Sequence, residues 1–247
     1  MVKNSPSLEQ MKASGRVLAT VLSALKNTAK ASVSLLALDK LAHDMIIEAG
    51  AMPAFLGYNG FPSSICISIN SEVVHGLPNI DKPLAEGQLV SFDCGVILNG
   101  AVTDAAFTMP IGRVSKEAIK LLEKTSEALY LGLDKVKVGA TTGDIGSAIE
   151  EVAYGANLGV VKDYAGHGVG RTLHEDPSIP NYGKRGTGSI LTAGMYLAIE
   201  PMFVLGKAET EIADDGWTVQ TLDRSLAAHF EHTVAVLANG YEILTNF

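Results

Sequence analysis

Asn99-Gly100 stands between two apolar stretches, Leu89 to Leu98 and 101–109, and constrains the fold more than any other feature of the chain. Both residue types accept the positive φ values of the two-residue turn that matches strand twist, so the pair predicts a long antiparallel hairpin. With that turn, residues whose numbers add to about 199 face each other. Asp93 and Asp104, eleven positions apart, become near neighbours on opposite arms. Facing side chains lie roughly 4.5–5.5 Å apart at Cβ. Two carboxylates so placed repel each other unless a cation lies between them.

The rest of the chain falls into two similar units. Apolar residues Leu8, Met11, Leu18, Leu22 and Leu25 recur at helical spacing over 7–29, with Ser7 and Gln10 forming a capping-box pattern. A second helix is predicted over 34–48, closed by Gly50. Ile65, Ile67 and Ile69 alternate with small or polar residues, as in a half-buried strand. Helices are expected again over 115–133 and 142–156, then strands over 195–200, 203–205 and 229–237. Helix, helix, antiparallel strands, twice over, predicts an α+β duplication with helices packed on one face of a shared sheet. No long Pro/Gly/Ser linker divides the chain, so 1–247 reads as a single domain, with a short N-terminal extension at 1–6 and pseudo-repeats at about 7–110 and 115–240.

Composition narrows the function. A formal net charge of −8 opposes non-specific binding to nucleic acid, although it leaves room for a local basic patch that docks on a ribosome. The two cysteines, Cys66 and Cys94, sit in apolar, strand-like text and suit neither a disulfide framework nor a cysteine zinc site. The N-terminus lacks the apolar core of a signal peptide, and no apolar run is long enough to cross a bilayer. The expectation is a soluble, cytoplasmic protein.

Asp93, Asp104, His167, Glu200 and Glu231 stand out because each sits in apolar or glycine-rich text. Singly, each reads more readily as a turn residue, a hydrogen-bonded carboxylate or a core imidazole than as a ligand. Jointly, four buried carboxylates need compensation, and the only Lys or Arg nearby is Arg171. Two divalent cations would balance those four charges. Oxygen-rich ligation with one nitrogen suits Mn, Fe(II) or Co, and Zn less exclusively.

This ordered set resembles the dinuclear metal site of the methionine aminopeptidases, which share the pita-bread (creatinase/aminopeptidase-like) fold with prolidases and aminopeptidase P. The likeness runs from about Ser7 to Thr245. It is carried by Gly166-His167-Gly168-Val169-Gly170-Arg171 with His174-Glu175, by Ile199-Glu200-Pro201-Met202, and by Asp215-Gly216-Trp217 through Glu231-His232-Thr233. The segment Ile67-Ser68-Ile69-Asn70 with Val74-His75-Gly76 is also similar. The gap of 33 residues between His167 and Glu200 is short, as in the type I branch of bacterial type.

The resemblance implies a curved antiparallel sheet in two pseudo-symmetric halves, two divalent metals and hydrolysis of the first peptide bond of chains that begin with methionine. Asp93 would chelate one metal, Asp104 and Glu231 would bridge both, and His167 and Glu200 would complete the second. A hydroxide activated by the two metals would attack the carbonyl, with Glu200 shuttling the proton. His75 and His174 would contact the substrate amide and the developing oxyanion, while Trp217, Tyr58 and Cys66 match positions at the methionine pocket. The implied partner is the N-terminus of a nascent polypeptide, served by a monomer without nucleic acid or membrane. Bacterial members usually carry Cys at the place of Phe55, an aromatic at Leu173, His at Asn59 and Thr at Gly95. Phe for Cys narrows a pocket and Leu for an aromatic widens one. The nearest rivals are a prolidase or aminopeptidase P-like enzyme, which usually has a further N-terminal domain, and a non-catalytic binding protein on the same fold, which would typically lose ligands.

Overall fold

The computed structural model describes residues 5–78 and 82–247, so residues 1–4 of the expected N-terminal extension lie outside it. α1 (Leu8–Thr28) begins at its predicted capping box, and α2 (Leu35–Glu48) starts within a residue of the expected position. The Ser7 hydroxyl accepts from the Gln10 N–H, and the Gln10 side chain accepts from the Ser7 N–H, closing the capping box. The Ser34 hydroxyl caps α2 through the Ala37 N–H. α3 (Lys116–Leu133) and α4 (Thr142–Ala156) repeat the arrangement with Ser115 and with the Thr141–Asp144 box. Each cap satisfies an otherwise orphaned N–H and contributes about 1 kcal/mol.

The hairpin forms in the predicted register. Leu98 pairs with Ala101 across Asn99 (φ 51°) and Gly100 (φ 74°). Asp93 faces Ala106 and Asp104 faces Gly95, so the two aspartates are diagonal on the hairpin and not directly opposed. This hairpin anchors a nine-stranded antiparallel sheet. Glu231–Leu237 pairs with Ala101–Pro110, then Tyr196–Ile199, Ala165–Gly168 and Glu175–Pro180 follow outward. All candidate ligands therefore come from neighbouring strands or their ends.

Two expectations need correction. The strand Cys66–Ile69 is buried at every residue and not half-buried. Its Ile67 and Ile69 pack toward the α1/α2 core, Cys66 faces the site, and Gly76 bonds back onto Ile67 and Ser68. The strand expected over 229–237 breaks at Phe230. Ala227–His229 joins a small sheet with Met202–Val204, and Glu231–Leu237 returns to the large one. Strands Ala165–Gly168 and Glu175–Pro180 went unforeseen, because the first is glycine-rich and the second holds two prolines among polar residues, and neither carries an alternation of apolar side chains.

Each helix pair buries its own core. Leu18, Leu22, Leu38 and Ile46 pack with Ile67, Val90 and Phe92, while Leu121, Leu129, Ile145 and Ile149 pack with Leu197, Ile199 and Val234. Phe230 touches both cores, which places the strand switch at the centre of the molecule. The ends of the hairpin and of its neighbours are thus held rigid on two sides, which a constellation of charged side chains requires. No described helix is long and apolar enough to cross a membrane.

Candidate active site

Asp104, His167 and Glu231 meet from three strands of the large sheet, with Tyr196–Ile199 lying between those of Glu231 and His167; each is buried, with one ligating atom apiece within 4.8 Å of the others. Thr233 fixes Asp104 in depth: its hydroxyl accepts from the Asp104 N–H at 2.9 Å and donates to the Asp104 carbonyl at 2.7 Å. Pairing of Glu231 with Ala106 brings its carboxylate beside Asp104, and pairing of His167 with Ala198 delivers the imidazole from the other side. His167 Nδ1 lies 2.9 Å from the Gly168 carbonyl, which can only accept. Nδ1 therefore carries a proton, and in the neutral tautomer this leaves the lone pair on Nε2, the atom that faces Glu200 Oε1 at 3.6 Å.

Asp93 and Glu200 are half-buried and border the same cavity, so two of the four expected buried carboxylates are open to its interior. Burial, opposed by His229 and reinforced by Glu200, pushes the Asp93 carboxyl up to about 7. Burial first, then Asp93 and Glu200, drives Asp104 well above the usual carboxylate range. Glu231 is raised well above it by burial and by Asp104, Glu200 and Asp93. Asp93 Oδ1, Asp104 Oδ1 and Glu231 Oε1 are buried without a hydrogen-bond partner. Acidic groups crowded together in low dielectric cannot all ionise without a compensating cation. The donor set of carboxylate oxygens and one imidazole nitrogen fits a divalent metal.

Above these groups lies a cavity of about 280 Å³, lined on its apolar side by Phe55, Phe61, Cys66, Leu173 and Trp217. Asp215 accepts from the Trp217 and Thr218 N–H groups at 2.8 Å, which fixes the turn that carries the indole. The Phe61 ring meets Trp217 edge-on at 5.3 Å and Phe55 at 6.5 Å. Such a wall suits an unbranched, polarizable side chain, since thioether sulfur packs well against aromatic edges. Cys66 pairs with Asp93 in register, and burial followed by Asp93 holds its thiol well above its ordinary range, so it acts as a small apolar surface.

The two further histidines border the cavity. His174 Nδ1 lies 2.8 Å from the Tyr58 hydroxyl, and its ring stands edge-on to His167 at 4.4 Å. Burial and then His167 lower its pKa to about 4, so it is neutral near pH 7. His75, at φ 59°, packs edge-on against Tyr164 at 5.6 Å and is also held neutral, by burial above all. Sequence reasoning missed Tyr164, Phe61 and His229. His229 stands two positions before Glu231, the spacing of one sheet face, and that alternation was the available signal.

Gly95 explains how Phe55 fits. A Cβ at position 95 would lie 2.8 Å from both Phe55 Cε1 and Ala54 Cβ, so the ring occupies space that any side chain there would need. Gly95→Ala is expected to drive the Phe55 ring toward the cavity and cost about 1–3 kcal/mol. Adding Phe55→Leu should return part of that loss, giving a coupling of about 0.5–3 kcal/mol in a double-mutant cycle of urea unfolding. Strict additivity would show that the two positions do not share this space.

The profile of metallopeptidase family M24 matches residues 9–238. That match defines the class, a metallopeptidase, for which a divalent metal is implied. A methionine aminopeptidase of Clostridium acetobutylicum is 47% identical over 99% of this chain and 98% of its own length. The crystal structure of methionine aminopeptidase from Rickettsia prowazekii superposes with a TM-score of 0.94 at 43% identity, covering 98% of this chain and 99% of that one. A prolidase from Pyrococcus furiosus, 20% identical with a TM-score of 0.76 over 98% of this chain and 65% of its own, shares the fold alone. The chain belongs to metallopeptidase family M24, in its methionine aminopeptidase branch.

Proposed function

We propose that this chain removes the initiator methionine from nascent polypeptides in the cytoplasm, using two divalent cations held by Asp93, Asp104, His167, Glu200 and Glu231. The observation that carries this reading is the joining of two chemistries in one cavity. An acidic cluster with orphaned oxygens abuts a wall of aromatic and apolar side chains in one cavity. When bound, the cations supply Lewis acidity that brings a water toward deprotonation near neutral pH.

The residues divide the remaining work. The wall of Trp217, Phe61, Phe55, Tyr58 and Cys66 takes the methionine side chain and sets the scissile carbonyl beside the acidic cluster. Glu200 accepts the proton of the attacking water and returns it to the leaving amine, a transfer worth about 10²–10⁴-fold in rate. Tyr58 positions His174: with the phenol donating to Nδ1, the neutral ring presents Nε2–H toward the oxygen that gains charge. His75, held by its left-handed backbone and by Tyr164, orients the scissile amide.

The test is hydrolysis of Met-Gly-Met-Met by metal-stripped protein, before and after addition of Mn(II), Co(II) or Fe(II). Free methionine should appear only with metal, and faster than the first residue leaves Leu- or Ala-initial peptides. No release with any metal from folded protein refutes the assignment, and cleavage of X-Pro peptides instead would move it to the prolidases.

A further inference from the structure

His229 is buried at 1% exposure at the end of the strand Ala227–His229, and neither ring nitrogen makes a full hydrogen bond. Its backbone is clamped. The His229 N–H donates to Thr108 Oγ1 at 2.8 Å, and the same hydroxyl donates to the His229 carbonyl at 2.8 Å. Ser91 Oγ in turn lies 2.8 Å from Thr108 Oγ1, which ties the clamp to both arms of the central hairpin. The register that pairs His229 with Met202 puts its ring beside Glu200, two residues earlier in the chain. Nε2 lies 3.4 Å from Glu200 Oε2. On the other oxygen, His167 Nε2 lies 3.6 Å from Oε1. The Glu200 main chain is fixed as well, since Asn181 Nδ2 donates to its carbonyl at 3.0 Å.

A histidine serving only as core filler would be a poor choice here, because a buried imidazole needs partners that an apolar side chain does not. The carboxylate oxygen that its Nε2 approaches at 3.4 Å belongs to the residue on which the proposed chemistry depends. We propose that His229 is a positioning residue for Glu200: its Nε2–H holds Oε2 and so turns Oε1 toward His167 and the acidic cluster. This rests on the assignment of Glu200 made above. The strand switch at Phe230 is what makes the geometry available, since it carries residue 229 out of the large sheet and under the Glu200 side chain, while residue 231 stays beside Asp104. The partner oxygen, freed from rotation, is presented in one orientation.

His229→Leu removes the donor at similar bulk, and His229→Gln keeps an N–H donor of comparable reach. Mn(II) affinity of the metal-stripped proteins is read by calorimetric titration, and kcat and KM on Met-Gly-Met-Met are read at saturating Mn(II). His229→Leu should weaken Mn(II) binding and lower kcat, each by about 10–100-fold, with KM changed by less than about twofold. His229→Gln should recover both to within about threefold of the parent. Parent-like Mn(II) affinity and kcat in His229→Leu overturn the proposal, as does a folded His229→Gln no better than His229→Leu. Where His229→Leu does not fold, His229→Asn, too short to reach Oε2, takes its place against His229→Gln with the same criteria. If the parent protein cleaves no Met-initial peptide, the functional assignment fails separately, and the ratio of Mn(II) affinities still decides the role of His229.

Discussion

Glu200→Gln is expected to lower kcat on Met-Gly-Met-Met by about 10²–10⁴-fold while KM moves little. The amide keeps the length and one oxygen of the carboxylate, so the side chain can still lie between His167 and His229. It cannot accept a proton from the attacking water. Loss of a step made only in the transition state lowers kcat and kcat/KM together. Steady-state kinetics at saturating Mn(II), with metal content measured on the same sample, separate this loss from weakened metal binding. A metal-loaded variant with parental kcat would remove Glu200 from the proton path.

Asp104→Asn should do two opposite things, destroying activity and stabilising the metal-free protein. Asp104 is buried among carboxyls, and its pKa is raised well above the ordinary range by burial first and by Asp93 and Glu200 next. Above the unfolded pKa of about 3.9, folding must therefore either bury a charge or take up a proton. A neutral amide carries no such cost. The variant's advantage grows as pH rises from about 4 and vanishes below it, where the carboxyl is protonated in both states. An advantage of about 1–3 kcal/mol near pH 7 corresponds to roughly 2–4 °C of melting temperature per kcal/mol in a chain of this size. Metal reverses the order. The parent gains about 2.7 kcal/mol at a metal concentration 100 times Kd, and the variant gains far less. Differential scanning calorimetry with and without Mn(II) checks both signs, and a metal-free variant that melts below the parent would show that Asp104 is already compensated by the protein. Because Asp93 titrates near 7, metal binding should also weaken as pH falls below that value.

Much of the site was legible because strand geometry is local. Asn99-Gly100 determines a register, and a register alone brings Asp93 and Asp104 close on the two arms. The capping box of Ser7 and Gln10 starts the first helix where it is expected, and periodicity places the starts of the other described α-helices within about a residue of the caps at Ser34, Ser115 and Thr141. What escaped notice shares a different cause. The strand Ala165–Gly168 has no side-chain signature, since its pairing to Tyr196–Ile199 is made by backbone groups that glycine shares with every residue. Tyr164 and Phe61 are ordinary aromatics in the sequence, and only the folding of distant loops over the sheet turns them toward His75 and Trp217.

Sequence by itself determined the periodicities, the caps, the hairpin and the set of acidic residues without nearby counter-charge, because these depend on contacts within a few residues or across one turn. Tertiary structure alone decided which face each acid presents, how deep it lies and what stands behind it. Thr233 sets the depth of Asp104 across 129 positions, and Gly95 gives Phe55 its place from 40 positions away. The break at Phe230 sends His229 to Glu200 and Glu231 to Asp104. The physical reason is that burial and electrostatic environment are sums over neighbours in space, and most of those neighbours are remote along the chain.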